Sequence, residues 1–104
     1  MNDEERTLRA RLNAETGKLE WPEVERHFAR GAVVKVSASL DLVEVAARMA
    51  GDDVAAIRGW MEAGTLCRAS DDDARIWGAR RPLFWAVVAA PWLLVQEIEY
   101  SDAP

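Results

Sequence analysis

The chain's apolar positions recur with a helical period over its first two-thirds and crowd together near its end. Leu8 and Leu12 stand one turn apart among charged residues, which predicts a helix over residues 3–16 with Gly17 as its C-terminal stop. Pro22 suits the first turn of a second helix, where its missing N–H is of no consequence, and Val24 and Phe28 give that helix an apolar stripe ending at Gly31. Ala32-Val33-Val34-Lys35-Val36 is short and β-branched, so it predicts a strand.

Asp41 with Glu44 three positions on is a capping-box signature for a third helix, with Val43, Ala46, Ala47 and Ala50 inward and a stop near Gly51. Asp52 or Asp53 caps a fourth, whose face is Val54, Ile57, Trp60 and Met61 and whose end is Gly64. Residues 65–69 fit a short strand, and Ser70 with Asp73 opens a brief fifth helix through Trp77. The apolar run 84–99 forms two strands turning at Ala90-Pro91 or one long strand bent there, since Pro91 cannot donate to a ladder.

The expected order is ααβααβαββ: an α+β fold of about five short helices on a small mixed or antiparallel sheet of three to four strands. Residues 1–104 are expected to form a single domain, with ends that fray up to about residue 4 and after Tyr100.

Composition changes this picture only by exclusion. Half the chain is hydrophobic and 30% charged, the balance of a globular protein, and its net charge of -5 argues against free nucleic acid and anionic membrane as partners. The longest apolar stretch, residues 83–95, is interrupted by Pro91 and falls short of the roughly 20 residues a spanning helix needs. The N-terminus is polar and acidic, unlike a secretory signal, and the single cysteine, Cys67, allows no intrachain disulfide. Together these point to a cytoplasmic protein.

Candidate chemistry is sparse. His27 is the chain's one histidine and has no visible partner, so a partly exposed helix residue explains it better than a general base. Cys67 has Arg68 beside it, but neighbours on a strand point to opposite faces, and a small buried thiol is the simpler reading. Asp52-Asp53 and Asp71-Asp72-Asp73 lack the alternating spacing of a hard-cation loop and stand where helices begin, so capping accounts for them. No catalytic residue, cofactor or metal site is therefore assigned.

Two features stand out. Five tryptophans stand in so short a chain, at 21, 60, 77, 85 and 92; filling a small core explains most of them, Trp60 among them, and at least one of Trp85 and Trp92 is a candidate for exposure. Trp21, Phe28, Trp85 and Trp92 are the candidate interaction surface. The second feature is residues 42–66, whose two helices, turn at Gly51 and closing Gly64 outline a helix-turn-helix. Its Val45-Ala46 pair, Arg58-x-Trp60 and Gly64-x-Leu66 resemble the reading head of winged-helix regulators of the mercury-resistance type. Arg48, Arg58, Arg68, Arg75, Arg80 and Arg81 would be its phosphate contacts. Asp52 and Asp53 at the start of the recognition helix oppose that reading, because the backbone phosphates repel them.

The chain as a whole resembles the domain-of-unknown-function 2288 family. Leu40-Asp41-Leu42-x-Glu44-Val45, Ala50-x-Asp52-Asp53, Trp60, Gly64 and Val87-x-x-x-Pro91-Trp92-Leu93-Leu94-Val95-Gln96-Glu97 carry the likeness, from about Leu8 to Glu97. Leu94, where a Val is more usual, is the departure. The resemblance implies a free-standing bacterial cytoplasmic protein and assigns no activity, cofactor, partner or catalytic residue. The preferred expectation is a non-catalytic module that binds a protein partner or a second copy of itself as a homodimer. A DNA-binding regulator is the alternative and an enzyme using Cys67 or His27 the third reading. A small-molecule ligand is left open.

Overall fold

Helix starts in this molecule are built from side-chain caps. In the computed structural model, which describes residues 2–98, Asn2 accepts the Glu5 N–H at 2.7 Å and opens α1 (Asp3–Glu15). β1 (Gly17–Glu20) follows, then α2 (Trp21–Ala29), capped reciprocally by Glu20 and Glu23. β2 (Val33–Val36) leads to α3 (Leu42–Ala50) and α4 (Val54–Glu62), capped by Asp41 and Asp53. β3 (Leu66–Arg68), α5 (Asp71–Arg80), β4 (Leu83–Ala89) and β5 (Trp92–Glu97) complete the chain. Among the described residues no helix is long and apolar enough to cross a membrane.

The class is α+β with about five helices, as the pattern predicts, but the sheet has five strands rather than three to four. The strand missing from the sequence reading is β1. Only Leu19 in Gly17-Lys18-Leu19-Glu20 is a large apolar residue, so the segment shows almost no alternation, and Gly17 opens the strand instead of ending α1. β1 is an edge strand, where charged side chains are compatible with pairing on one side only. The order is therefore αβαβααβαββ. The expectation of frayed ends falls partly on residue 1 and residues 100–104, which lie outside the described residues, as does the last residue of the run 84–99.

The sheet order is β1-β4-β5-β2-β3, with β2 and β5 parallel and every other pair antiparallel, so it is mixed. Of the two arrangements open for residues 84–99, the hairpin is the one adopted, turning at Ala90-Pro91. Alternation along the central strands sends their side chains to two separate cores. Val34, Val36, Val87, Ala89 and Leu94 meet α1 and α3 on one face, with Ile57 and Trp60 of α4 packed against them. Val33, Phe84, Ala86, Leu93 and Val95 meet Trp21 and Val24 of α2 and Trp77 of α5 on the other.

Three helix details depart from the pattern. In α3 the buried set is Leu42, Val45, Ala46 and Ala47, whereas Val43 is half-buried and Ala50 exposed: the helix is rotated relative to the expected face. Asp41 caps α3, yet Glu44 does not reach back to it, because its carboxylate is taken by Arg9 and Arg48. α5 continues past Trp77 to Arg80.

The closing string that marks the sequence is structural. Gln96 donates from Nε2 to the Ser37 and Leu40 carbonyls at 2.9 and 2.8 Å, tying the β2–α3 loop to β5. Glu97 accepts from Trp77 Nε1 at 3.2 Å.

Candidate functional site

α4 is short, and none of its residues is buried. Its pattern predicted an inward stripe of Val54, Ile57, Trp60 and Met61, but only Ile57 and Trp60 turn toward the core. Val54 is 61% and Met61 53% exposed. The reason is that α4 rests on α3 and β3 near the sheet's edge, so one side of its apolar stripe has no layer to cover it.

That uncovered side faces the β4–β5 turn across a groove of about 600 Å³. Met49, Val54, Ile57 and Met61 form one wall, and Ala89, Ala90, Pro91 and Trp92 the other. Asp52, Arg58 and Glu62 also line it. Asp52 ends the α3 turn in the left-handed region, at φ 54°. Asp tolerates that conformation better than most side chains.

Trp92 is half-buried, and Arg68 lies over its ring with the guanidinium carbon 5.3 Å from the centroid. Arg68 is itself fixed, donating to the Gly31 carbonyl at 2.7 Å. The ring is therefore held from behind by a cation on β3 and presents apolar surface to the groove. Unbranched thioethers at Met49 and Met61 can repack around different shapes. Chemically, such a groove offers apolar contact and shape, with Asp52, Arg58 and Glu62 as its charged members.

The four aromatic residues selected from the sequence lie in three places. Trp21 is 5% exposed and stacks within the core, with ring centroids 5.8 Å from Trp77 and 6.2 Å from Phe28. Phe28 is half-buried beside it. Trp85 is 38% exposed on the β1 side of the sheet, with Lys18 Nζ 5.2 Å from its ring centroid. Trp92 alone of the four lines the groove. Of the Met and Val members of the groove, periodicity assigns Val54 and Met61 to the core. Exposure on one flank of a short helix leaves no trace in a 3.6-residue pattern.

The six arginines proposed for DNA do not come together. Arg48 donates to Glu44 and Asp53 at 2.8 and 2.9 Å, Arg75 to Asp72 at 3.0 Å, and Arg68 to Gly31. Arg58 lines the apolar groove, whereas Arg80 and Arg81 line a cleft on the other face of the sheet. α3 is packed against the sheet through four buried residues. His27 Nδ1 sits 3.0 Å from the guanidinium of Arg30, the C-cap of the same helix, and Cys67 pairs across the strands with Lys35. Among the described residues no group of three His, Cys, Asp or Glu side chains is arranged to hold a metal ion.

Arg9, Glu44, Arg48 and Asp53 form a continuous ion network that fastens α1 to α3 and α3 to the start of α4. Hydrogen bonds from Arg9 and Arg48 hold the Glu44 carboxyl below its ordinary pKa. This network explains the placement of Arg48 without recourse to a ligand.

A family model described as "Protein of unknown function (DUF2288)" matches residues 7–97. The chain is also similar to the solution NMR structure of PA1075 from Pseudomonas aeruginosa, at 41% identity and a TM-score of 0.80. That match covers 100% of this chain and 96% of the other. No curated protein matches the chain significantly.

Proposed function

The chain belongs to the DUF2288 family, and from that premise we propose that it is a non-catalytic module that binds a protein partner through the α4 groove. The observation that carries this reading is the apolar wall left uncovered on α4, with Val54 and Met61 more than half exposed opposite Trp92. An apolar groove of this kind accommodates the apolar face of an amphipathic helix, anchored at positions i, i+3/i+4 and i+7. Two carboxylates, Asp52 and Glu62, outnumber the one guanidinium along the groove, and the chain carries a net charge of -5. Both features favour a partner helix flanked by basic residues.

The test is titration of the isotopically labelled protein with synthetic amphipathic helices that carry the same apolar face and either Lys or Glu flanks. Lys-flanked peptides are expected to shift the amides of Met49–Met61 and Ala89–Trp92, with affinity about ten-fold tighter than their Glu-flanked counterparts. Met61→Glu, on an exposed side chain, removes the binding and leaves the fold intact. Absence of shifts with either peptide overturns the reading. Concentration-dependent shifts at the same residues without peptide overturn it too, assigning the groove to a second copy of the chain.

A further inference from the structure

The other large cleft lies on the opposite face of the sheet and at the opposite end of the β4–β5 hairpin, and its chemistry is of a different kind. It encloses about 950 Å³. Its floor is the ends of β2, β3 and β5, with Lys35, Cys67 and Glu97; its roof is the last turn of α5, with Trp77, Arg80 and Arg81.

The charges here are unequally satisfied. Lys35 Nζ donates to Asp73 at 2.8 Å, and Asp73 also accepts from the Ser70 N–H and hydroxyl at 2.9 and 3.0 Å. Glu97 is fixed by the Trp77 indole. Arg80 and Arg81 make no side-chain hydrogen bond or ion pair with any described residue; the same holds for Arg6, Arg11, Arg26 and Arg58, but of these only Arg80 and Arg81 line the cleft, whereas Arg48, Arg68 and Arg75 are paired.

Arg81 occupies the C-cap of α5 at φ 51° and ψ 58°, in the left-handed region. Glycine is the residue that adopts this conformation without steric cost, and it closes α2 and α4 at Gly31 and Gly64. At α5 an arginine stands there instead. A cation at a helix C-terminus complements the dipole, but Arg80 already supplies one in the preceding position. Dipole complementarity therefore does not account for the arginine at the strained position.

We propose that this cleft is a binding site for a small organic anion, whose phosphate or carboxylate group is held by the guanidinium groups of Arg80 and Arg81. Planar guanidinium groups pair with such oxyanions through parallel N–H donors, which a lone ammonium cannot do. Glu97, across the cleft, has acceptor capacity left beyond its one bond to Trp77, and it suits hydroxyl or amine donors on the far end of the ligand. The class is thus a polar metabolite with an oxyanion at one end and hydrogen-bond donors at the other. This site is independent of the α4 groove.

Three probes test it: inorganic phosphate, ribose 5-phosphate and citrate, each titrated against the labelled full chain, with ribose as the uncharged control. At least one anionic probe is expected to give saturable shifts confined to Lys35–Ala38, Gly64–Cys67, Arg80–Leu83 and Glu97–Ile98, while ribose gives none. The same probe slows alkylation of Cys67, which lines the cleft. Binding by both ribose 5-phosphate and citrate assigns a general oxyanion site; binding by one alone assigns its group.

The double variant Arg80→Ala/Arg81→Gly weakens that probe at least about 10-fold. Arg81→Gly alone weakens it while holding or raising the melting temperature, because glycine relieves the left-handed strain. Arg75→Ala, which removes a paired arginine from the same helix, leaves the affinity unchanged. No saturable shift below about 10 mM for any probe, or equal affinity in the double variant, overturns the proposal.

Discussion

The two clefts sit on the same β4–β5 hairpin but have walls of unequal depth. The roof of the polar cleft is α5, anchored by Trp77, which is 2% exposed and packs edge-on against Phe84 at 5.1 Å. The wall of the apolar groove is α4, with no buried residue and only Ile57 and Trp60 turned toward the core. A wall fixed by deep packing holds polar groups at set positions, as recognition of a charged ligand requires. A shallow wall carrying Met61, beside Met49 of α3, can shift and repack, as accommodation of a partner's apolar face requires. Each cleft also carries one of the two left-handed non-glycine residues among the described residues, Asp52 and Arg81.

The strongest way to break this contrast is to remove an anchor. Trp77→Ala is expected to cost roughly 3–5 kcal/mol, from lost transfer free energy, the cavity and the orphaned Glu97 contact. Ile57→Ala on α4 is expected to cost only about 1–2 kcal/mol, because the site is half-exposed and can collapse. Urea denaturation midpoints give both values. If Trp77→Ala leaves too little folded protein, Trp77→Phe supplies a milder comparison. Equal losses at the two sites would mean that α4 and α5 are anchored alike.

Amide hydrogen exchange sharpens the same contrast without a mutation. α4 should open locally, whereas the central strands β4 and β5 exchange only through global unfolding. The expected difference is at least about 100-fold in protection. Comparable protection in α4 and β5 would contradict a pliable groove wall.

How much of this was legible in the sequence depends on how local each determinant is. Ser70 and Asp73 cap α5 reciprocally as their spacing predicts, and Asp53 caps α4, because a cap involves only residues within one turn. Asp41 and Glu44 show the limit of that logic. The same spacing yields half a box, since Arg9, 35 positions away, takes the glutamate. β1 is not legible in the sequence because an edge strand can be mostly charged, and no alternation announces it. The clefts were less legible still. Val54 and Met61 look like core on a helical wheel, and only tertiary packing decides that they are not. Arg80 and Arg81 stand out in the sequence only as basic residues; that neither makes an ion pair with a described residue, and that the backbone at Arg81 is left-handed, is visible only in three dimensions.

A smaller effect tests what ties the roof of the polar cleft to its floor. Burial alone would raise the Asp73 pKa, but hydrogen bonds from Lys35 and Ser70 outweigh it and hold the carboxyl below its ordinary value of 3.8. The bond to Asp73 likewise raises Lys35 above its ordinary 10.5, against the opposing effect of burial. The stabilisation from Asp73 is thus present above its unfolded-state value and lost as the pH falls through the lower folded-state value. That from Lys35 is present below its unfolded-state value and lost as the pH rises through the higher folded one. Asp73→Asn is expected to cost about 1 kcal/mol, discounted because the Lys35 side chain is 39% exposed. The difference from the parent should be flat from roughly pH 5 to pH 9 and shrink outside that range. A difference that persists undiminished below about pH 2 would show that the charge on Asp73 is not its source.

The smallest expected effect concerns the exposed tryptophan that belongs to neither cleft. Trp85 faces Lys18 across the β1–β4 pair, at the edge of the sheet remote from α4 and β3. A cation–π contact at so exposed a site contributes about 0.5–1 kcal/mol. Its consequence for binding is the sharper readout. If the groove beside Trp92 is where a partner helix docks, Trp85→Ala leaves the affinity for the Lys-flanked peptide unchanged, whereas Trp92→Ala weakens it at least about ten-fold. If both substitutions weaken the peptide equally, the docking surface extends across the sheet to β1. An exposed aromatic side chain is then part of the interface wherever it lies, and the separate character assigned to the α4 groove is lost.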